Sequence, residues 1–279
     1  MINEEQFLQK LNDAIDQNRI TLPTLPEVAL KVRDAVEREQ SSANQIADII
    51  ASDAALSARL LQVANSPLYR GRVTIDNLQM AVARLGIRLV RSLVVSLIMQ
   101  QIFQATSDLL DAKFRQTWEE SVQIAAISRV LASNTEHLDK EQAMLAGLIH
   151  NIGALPILAM AENHDELLED ADELDRIIDA LSPQIGQRIL TIWEFPESLI
   201  QVPANYLNLD YNSKGNADYV DIVLVARLES LMNSDTTIDT SNWSEIPAFK
   251  KIGLEPEVNI IEIEGVADDI HDIEVMFLS

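Results

Sequence analysis

The sequence predicts an all-helical protein, and three observations carry that expectation. Apolar residues recur at spacings of three and four almost from end to end. Hydrophobic residues make up 47% of the chain but aromatic ones only 5%, which suits a core of Leu, Ile, Val and Ala between helices better than an aromatic-rich sandwich. Gly and Pro number only 8 and 9 in 279 residues, too few to punctuate a series of tight β-turns.

Phe7, Leu8, Leu11, Ala14 and Ile15 outline a first amphipathic helix. The turn Leu22-Pro23-Thr24-Leu25-Pro26 leads into a second, whose first turn accommodates Pro26 because that amide needs no helical partner. Its apolar face is Val28, Val32, Ala35 and Val36. Ser41 and Ser42 offer capping hydroxyls ahead of Ile46, Ile49 and Ile50. Asp53 is placed to cap the helix carrying Leu56, Leu60, Leu61 and Ala64. That helix stops at Asn65-Ser66-Pro67, because a residue before proline disfavours α geometry. Helices over 74–85 and 86–103 hinge near Gly86. Long helical patterns cover 111–133 and 140–160, and shorter ones 183–193, 196–206 and 217–232. The polar, turn-rich stretch 210–215 reads as a linker. Residues 247–253 and 256–277 read as short closing helices, with Ile260 to Ile263 open between helix and strand.

Charge narrows the function classes. With 44 acidic against 21 basic residues the net charge is -23, which repels nucleic-acid phosphates and anionic lipid. No nucleic-acid partner is expected. The apolar stretch 85–103 is interrupted by Arg88 and Arg91 and reads as a buried helix, so no membrane insertion is expected. Residues 1–20 carry Glu4, Glu5, Asp13 and Asp16, with no basic start followed by an apolar run as in an export signal. The chain has 0 Cys, which removes disulfides, thiolate zinc sites and cysteine nucleophiles together. A soluble cytoplasmic protein is the expectation. Acidic residues concentrate in 162–175 and after Lys251, as solvated helix faces or as a docking surface for a basic partner. The spacing of Arg84, Arg88 and Arg91 places three guanidinium groups along one helix face. They serve either as counter-charges for the molecule's own acid or as a contact surface for an acidic partner or a phosphorylated receiver domain.

Two segments go beyond periodicity. The first is Leu22 to Val28 (LPTLPEV), followed in order by Ile46-Ala47-Asp48-Ile49-Ile50-Ala51-Ser52-Asp53, Leu56-Ser57-Ala58-Arg59-Leu60-Leu61, Ala64-Asn65-Ser66-Pro67, Ala81 to Gly86 (AVARLG) and Arg91-Ser92-Leu93. This series resembles the amino-terminal half of the HDOD domain, a bacterial signalling domain related to the HD metal phosphohydrolases. The second, Gly147-Leu148-Ile149-His150-Asn151-Ile152-Gly153, is similar to the HD helix in degenerate form. With Trp193-Glu194-Phe195-Pro196 the resemblance covers roughly residues 19–212.

The resemblance implies a site whose chemistry has been removed. An HD enzyme binds divalent cations through imidazoles and carboxylates, and its His-Asp pair is central because the aspartate offsets the cation charge. Here the pair is His150-Asn151. An upstream histidine of the active enzymes would fall at about Glu120, another at Ser182, one of a later pair at Asn205 (in Asn205-Tyr206), and the closing aspartate near Arg227. Of that set only His150 survives, and an arginine repels a cation. His137, His150, His164 and His271 form no i,i+3 or i,i+4 pair on a helix, so no local metal clamp is visible without family knowledge either. A lone His150 beside Leu148, Ile149 and Ile152 reads as a hydrogen-bonded core histidine or as part of a relic pocket with Asn151 and Glu120. Gly147 and Gly153 read as helix-packing positions. Ser92, Ser96 and Ser121 have no visible partner histidine, and Glu119-Glu120 reads as a solvated pair.

The expected architecture is therefore a helix at 1–18, then an HDOD domain at 19–212. An amino-terminal bundle (19–104) packs on a degenerate HD-like bundle (105–212), and 213–279 adds a carboxy-terminal helical cap. The resemblance implies a non-catalytic signal-transduction module without a cofactor. It would regulate a response regulator, histidine kinase or cyclic-di-GMP enzyme on a separate polypeptide. The rival readings are a relic-pocket binder of a nucleotide or other phosphorylated ligand, and a residual metal-dependent phosphohydrolase.

Overall fold

Apolar stripes and local caps explain where the helices begin and end. The computed structural model describes residues 4–17, 23, 26–37, 42–102, 108–162, 167, 170–232, 240, 242–263 and 265–278, and every regular element among them is helical. Most of the expected turn at Leu22 to Pro26, the hydroxyl of Ser41, His164 and much of the acidic run after Glu162 lie outside the described residues. The chain forms two compact units, Met1–Thr24 with Phe103–Ile260 and Leu25–Ile102 with Ile261–Ser279.

The second unit contains α2 (Glu27–Glu37), α3 (Ala43–Ile50), α4 (Ala54–Ala64), α5 (Leu78–Leu85), α6 (Ile87–Ile102) and α14 (Val266–Leu278). Ser42 and Gln45 form a reciprocal capping box at α3. Asp53 accepts from the Leu56 amide at α4, and Asn77 from the Met80 amide at α5. The apolar faces of α2 to α6 close over Ile46, Ile50, Leu56, Leu60 and Leu93, all essentially sealed from solvent. Gly86, at φ +81°, breaks the chain between α5 and α6. This corrects the expected arginine stripe: Arg84 ends α5, whereas Arg88 and Arg91 lie on α6, so the three share no single helix face.

The first unit contains α1 (Glu4–Asp16), α7 (Asp108–Ser133), α8 (Lys140–Ile149), α9 (Ala154–Ala161), α10 (Ala171–Ile192), α11 (Glu197–Asn205), α12 (Tyr219–Met232) and α13 (Pro247–Ile252). The pattern over 140–160 becomes two helices, because residues 150–153 form a turn. The run Lys140–Ala161 has the length and composition to cross a membrane, and 94% of its most apolar 18-residue window is buried in the protein. Helix α10 starts well before Pro183 and continues through it. Asp170 caps it by accepting from the Glu173 amide, and Leu174, Ile177, Leu181, Ile185 and Ile189 supply a buried stripe that outweighs the proline. The ambiguous segment at Ile260 is a short 3-10 turn, Ile260–Glu262.

Ion pairs fix the helices of this unit where water is excluded. Arg129 on α7 grips Glu141 on α8, with its Nη2 atom at 2.9 Å, and both side chains are nearly sealed. Lys251 on α13 reaches fully buried Asp221 on α12 at 3.2 Å, and Phe249 stacks on Trp243 beside it. Burial raises the Asp221 carboxyl above its usual range, against the opposing pull of the Asp218 amide and Lys251. Arg188 ties α10 to Asn12 and Asp16 of α1.

Two glycines allow the backbone approach that the rest of this unit requires. A Cβ at Gly147 would lie 2.5 Å from the Ala125 Cα, and one at Gly153 would lie 2.1 Å from the Ser182 carbonyl oxygen. Both contacts are with backbone, which has little room to yield. Gly153→Ala is therefore expected to cost at least about 2–3 kcal/mol, measured by urea unfolding. A variant as stable as the parent would contradict this packing.

Candidate functional site

The site grows out of the end of α8. Asp139 caps that helix by accepting from the Glu141 and Gln142 amides, and the residues from Ala143 onward are buried. His150 closes it: its Nδ1 lies 2.6 Å from the Gly147 carbonyl oxygen. A carbonyl only accepts, so Nδ1 carries the proton and Nε2 keeps its lone pair. Burial lowers the His150 pKa to about 4. The Gly147 carbonyl opposes that shift and the charge of Arg227 adds to it. The ring is neutral at pH 7 and meets the Tyr206 ring edge-on at 4.8 Å.

Asn151 is held by Ser121 on α7. The Ser121 Oγ lies 2.9 Å from the Asn151 amide oxygen and 2.7 Å from the Thr117 carbonyl oxygen. One hydroxyl has one proton to give. The Asn151 amide oxygen faces the serine, so that proton is shared between a side-chain and a backbone acceptor.

These side chains edge a cavity of about 400 Å3 within the first unit. Glu120, His150, Asn151 and Arg227, dispersed over more than 100 positions of sequence, all line it. Ser182 and Asn205 do not. Ser182 is fully buried, with its carbonyl oxygen against Gly153. Asn205 turns its amide back to the Gln201 carbonyl and side-chain oxygens, each at 3.0 Å. The neighbouring Tyr206 takes the place in the lining, and burial pushes its hydroxyl pKa up to about 12. Including Asn205 as a pocket residue is thus a one-residue misplacement: at the end of α11 only one of the two adjacent side chains points inward.

Lys113, Asp175 and Asp179 were not legible as site residues. They join the lining because α7 and α10 pass along the same cavity. Lys113 pairs with Asp175. Desolvation raises the Asp179 carboxyl above its usual range, while the charge of Arg227 holds it back. The one available signal was helical spacing, since Asp175, Asp179 and Ser182 follow one another at i,i+4 and i,i+7. Glu120 is exposed and accepts from Gln116 at 2.8 Å. Arg227, half-buried, makes no hydrogen bond or ion pair among the described residues.

This donor set does not fit the metal centre of an HD hydrolase. It offers one imidazole, an amide bonded to Ser121, and a guanidinium where the closing aspartate is expected. Its carboxylates are engaged apart from His150: Asp175 pairs with Lys113, Glu120 accepts from Gln116 and Asp179 lies under the charge of Arg227. Among the described residues no cluster of three or more His, Cys, Asp or Glu could hold an ion. A cation here would also meet the positive charge of Arg227. The pocket can instead bind: Arg227 donates, and the His150 Nε2 accepts.

The depressed His150 pKa fixes a pH dependence of folding. The unfolded chain takes up a proton near the ordinary imidazole pKa of about 6.5, and the folded chain only near 4. The stabilising contribution of neutral His150 is therefore complete above 6.5 and is lost as the pH falls toward 4, by up to about 3 kcal/mol. Urea unfolding across that window is expected to show a shallower pH slope in His150→Gln than in the parent. Parallel slopes would mean that the ring is not sealed as described.

Comparison with known proteins places this geometry in a family. Residues 22–208 match the model of the HDOD domain. A protein of Shewanella amazonensis SB2B, provisionally described as a metal-dependent phosphohydrolase, has a similar structure with a TM-score of 0.83 and 30% sequence identity, over 99% of this chain and 100% of its own. An HDOD domain protein of unknown function from Geobacter sulfurreducens shares the fold at a TM-score of 0.74 and 19% identity, over 99% of this chain and 100% of that one. An uncharacterized protein of Treponema pallidum (strain Nichols) is 25% identical over 233 residues, 78% of this chain. The chain thus spans less than half, 44%, of the length of the curated relative it matches. With the HDOD model covering well over half of its length, the chain belongs to the HDOD domain family.

Proposed function

We propose that this chain is a non-catalytic signal-transduction module that binds and regulates protein partners. The observation that carries the reading is Arg227. It brings a permanent positive charge into the cavity beside His150, where an HD hydrolase would gather cations. Asn151 reinforces it, because its amide adds no negative charge to offset a cation beside that guanidinium. An HDOD module without a hydrolytic site delivers a signal by contact. Its partners are response regulators, histidine kinases or cyclic-di-GMP enzymes on a separate polypeptide in the cytoplasm.

The test of the non-catalytic part is direct. The purified chain, supplied with Mn2+, Mg2+ or Ni2+, is expected to hydrolyse neither a generic phosphodiester nor nucleotides and cyclic dinucleotides above a no-protein control. Asn151→Asp alone is expected to restore no turnover, because Arg227 still lines the cavity. Metal-dependent turnover lost in His150→Ala would reverse the conclusion in favour of a residual phosphohydrolase.

A second reading is favoured by the open donors and acceptors of the cavity. The Arg227 guanidinium, without a hydrogen bond or ion pair among the described residues, suits the phosphate of a small ligand such as a nucleotide, the His150 Nε2 can accept from one of its hydroxyl or amino groups, and a cavity of about 400 Å3 has room for it. At a concentration of 100 Kd such a ligand would stabilise the fold by about 2.7 kcal/mol, read as a thermal shift that Arg227→Gln removes. A flat response across a nucleotide panel would leave partner binding alone.

A further inference from the structure

We propose that the loop at 66–74 and the adjoining face of α5 form a docking surface for an acidic segment of a separate protein. The proposal rests on the partner-binding reading above and gives that partner a chemistry. From Ala54 to Ser107 the chain carries six arginines and one carboxylate, Asp76, although the whole chain holds 44 acidic residues against 21 basic ones. If those arginines served to neutralise the molecule's own acid, they would be paired. Arg70 and Arg72 are exposed, and among the described residues neither guanidinium makes a hydrogen bond or an ion pair.

Exposed apolar side chains accompany these charges. Val73 is 63% exposed and Met80 43%. Arg84 bridges the two segments, since it lies one helical turn beyond Met80 on α5 and donates to the Val73 carbonyl oxygen. The surface thus has apolar groups among unpaired guanidiniums, and arginine and methionine are enriched where proteins meet.

The loop is also held in shape. Asn65 accepts from the Ile75 amide and donates to the Ile75 carbonyl oxygen, each at 2.8 Å. Ile75 is itself buried against Ala64 and Ala81. A loop pinned at its far end and braced by Arg84 loses little freedom on binding, so its contacts convert efficiently into affinity. The acid on the rest of the chain adds selectivity: a carboxylate-rich partner is repelled there and steered to this basic surface.

The test is affinity capture from cells that express the chain, with each captured protein identified, purified and titrated against four full-length baits. These are the parent, Arg70→Glu/Arg72→Glu, Val73→Ser/Met80→Ser, and the exposed Lys10→Glu as a control far in sequence. An acidic protein is expected to bind the parent and the control alike, at least 10-fold more weakly to the charge-reversed bait, and several-fold more weakly to the serine pair. All four baits should give the same circular dichroism. A partner that binds the charge-reversed bait as tightly as the parent overturns this surface and leaves the function reading standing. Recovery of nucleic acid, lipid or a basic protein at this surface overturns it too. If no protein is retained by the parent, the partner-binding reading fails first and the surface falls with it.

Discussion

The candidate site depends on two places where backbone meets backbone. Gly147 brings α8 onto α7 at Ala125, and Gly153 seats the following turn on Ser182 and Gly186 of α10. Those contacts decide which side of the turn His150 and Asn151 present, and at what distance from Ser121, Tyr206 and Arg227. A methyl group at either position would force the helices apart by more than the reach of the hydrogen bonds that now define the pocket. Shape comes first here, and polar chemistry is arranged within it.

Within that frame both members of the His150-Asn151 pair make architectural contacts. His150 donates to the last turn of its own helix, and Asn151 satisfies a serine. Both are the behaviour expected of buried polar groups, which must find partners whether or not they have a task. The ion pairs Arg129–Glu141 and Lys251–Asp221 follow the same rule at larger scale, since each matches a desolvated charge with its opposite. Arg227 departs from it. A half-buried guanidinium without a described partner is the feature most out of keeping with a merely structural pocket.

Much of the fold was legible because its determinants are local. Ser42, Asp53 and the proline after Ser66 set helix limits within a few residues of themselves, and apolar spacing carries the rest. What failed locally was decided at a distance. The helix through Pro183 is longer than its proline suggests because its buried stripe begins at Leu174. The break at 150–153 is set by packing on α10, which nothing between Lys140 and Met160 announces. For the site, family resemblance located His150, Asn151, Glu120 and Arg227, whereas Lys113, Asp175 and Asp179 enter only through the crossing of α7 and α10. The arginines at 84, 88 and 91 show the opposite error: periodicity was followed across Gly86, whose positive φ ends one helix before the next begins.

The charge of Arg227 also limits what a single substitution can do to the cavity. Asn151→Asp would place a carboxylate beside a serine hydroxyl already shared with the Thr117 carbonyl, in a lining that holds a guanidinium. The character of the cavity is thus held jointly by residues on several helices, whereas the exposed loops can vary one residue at a time.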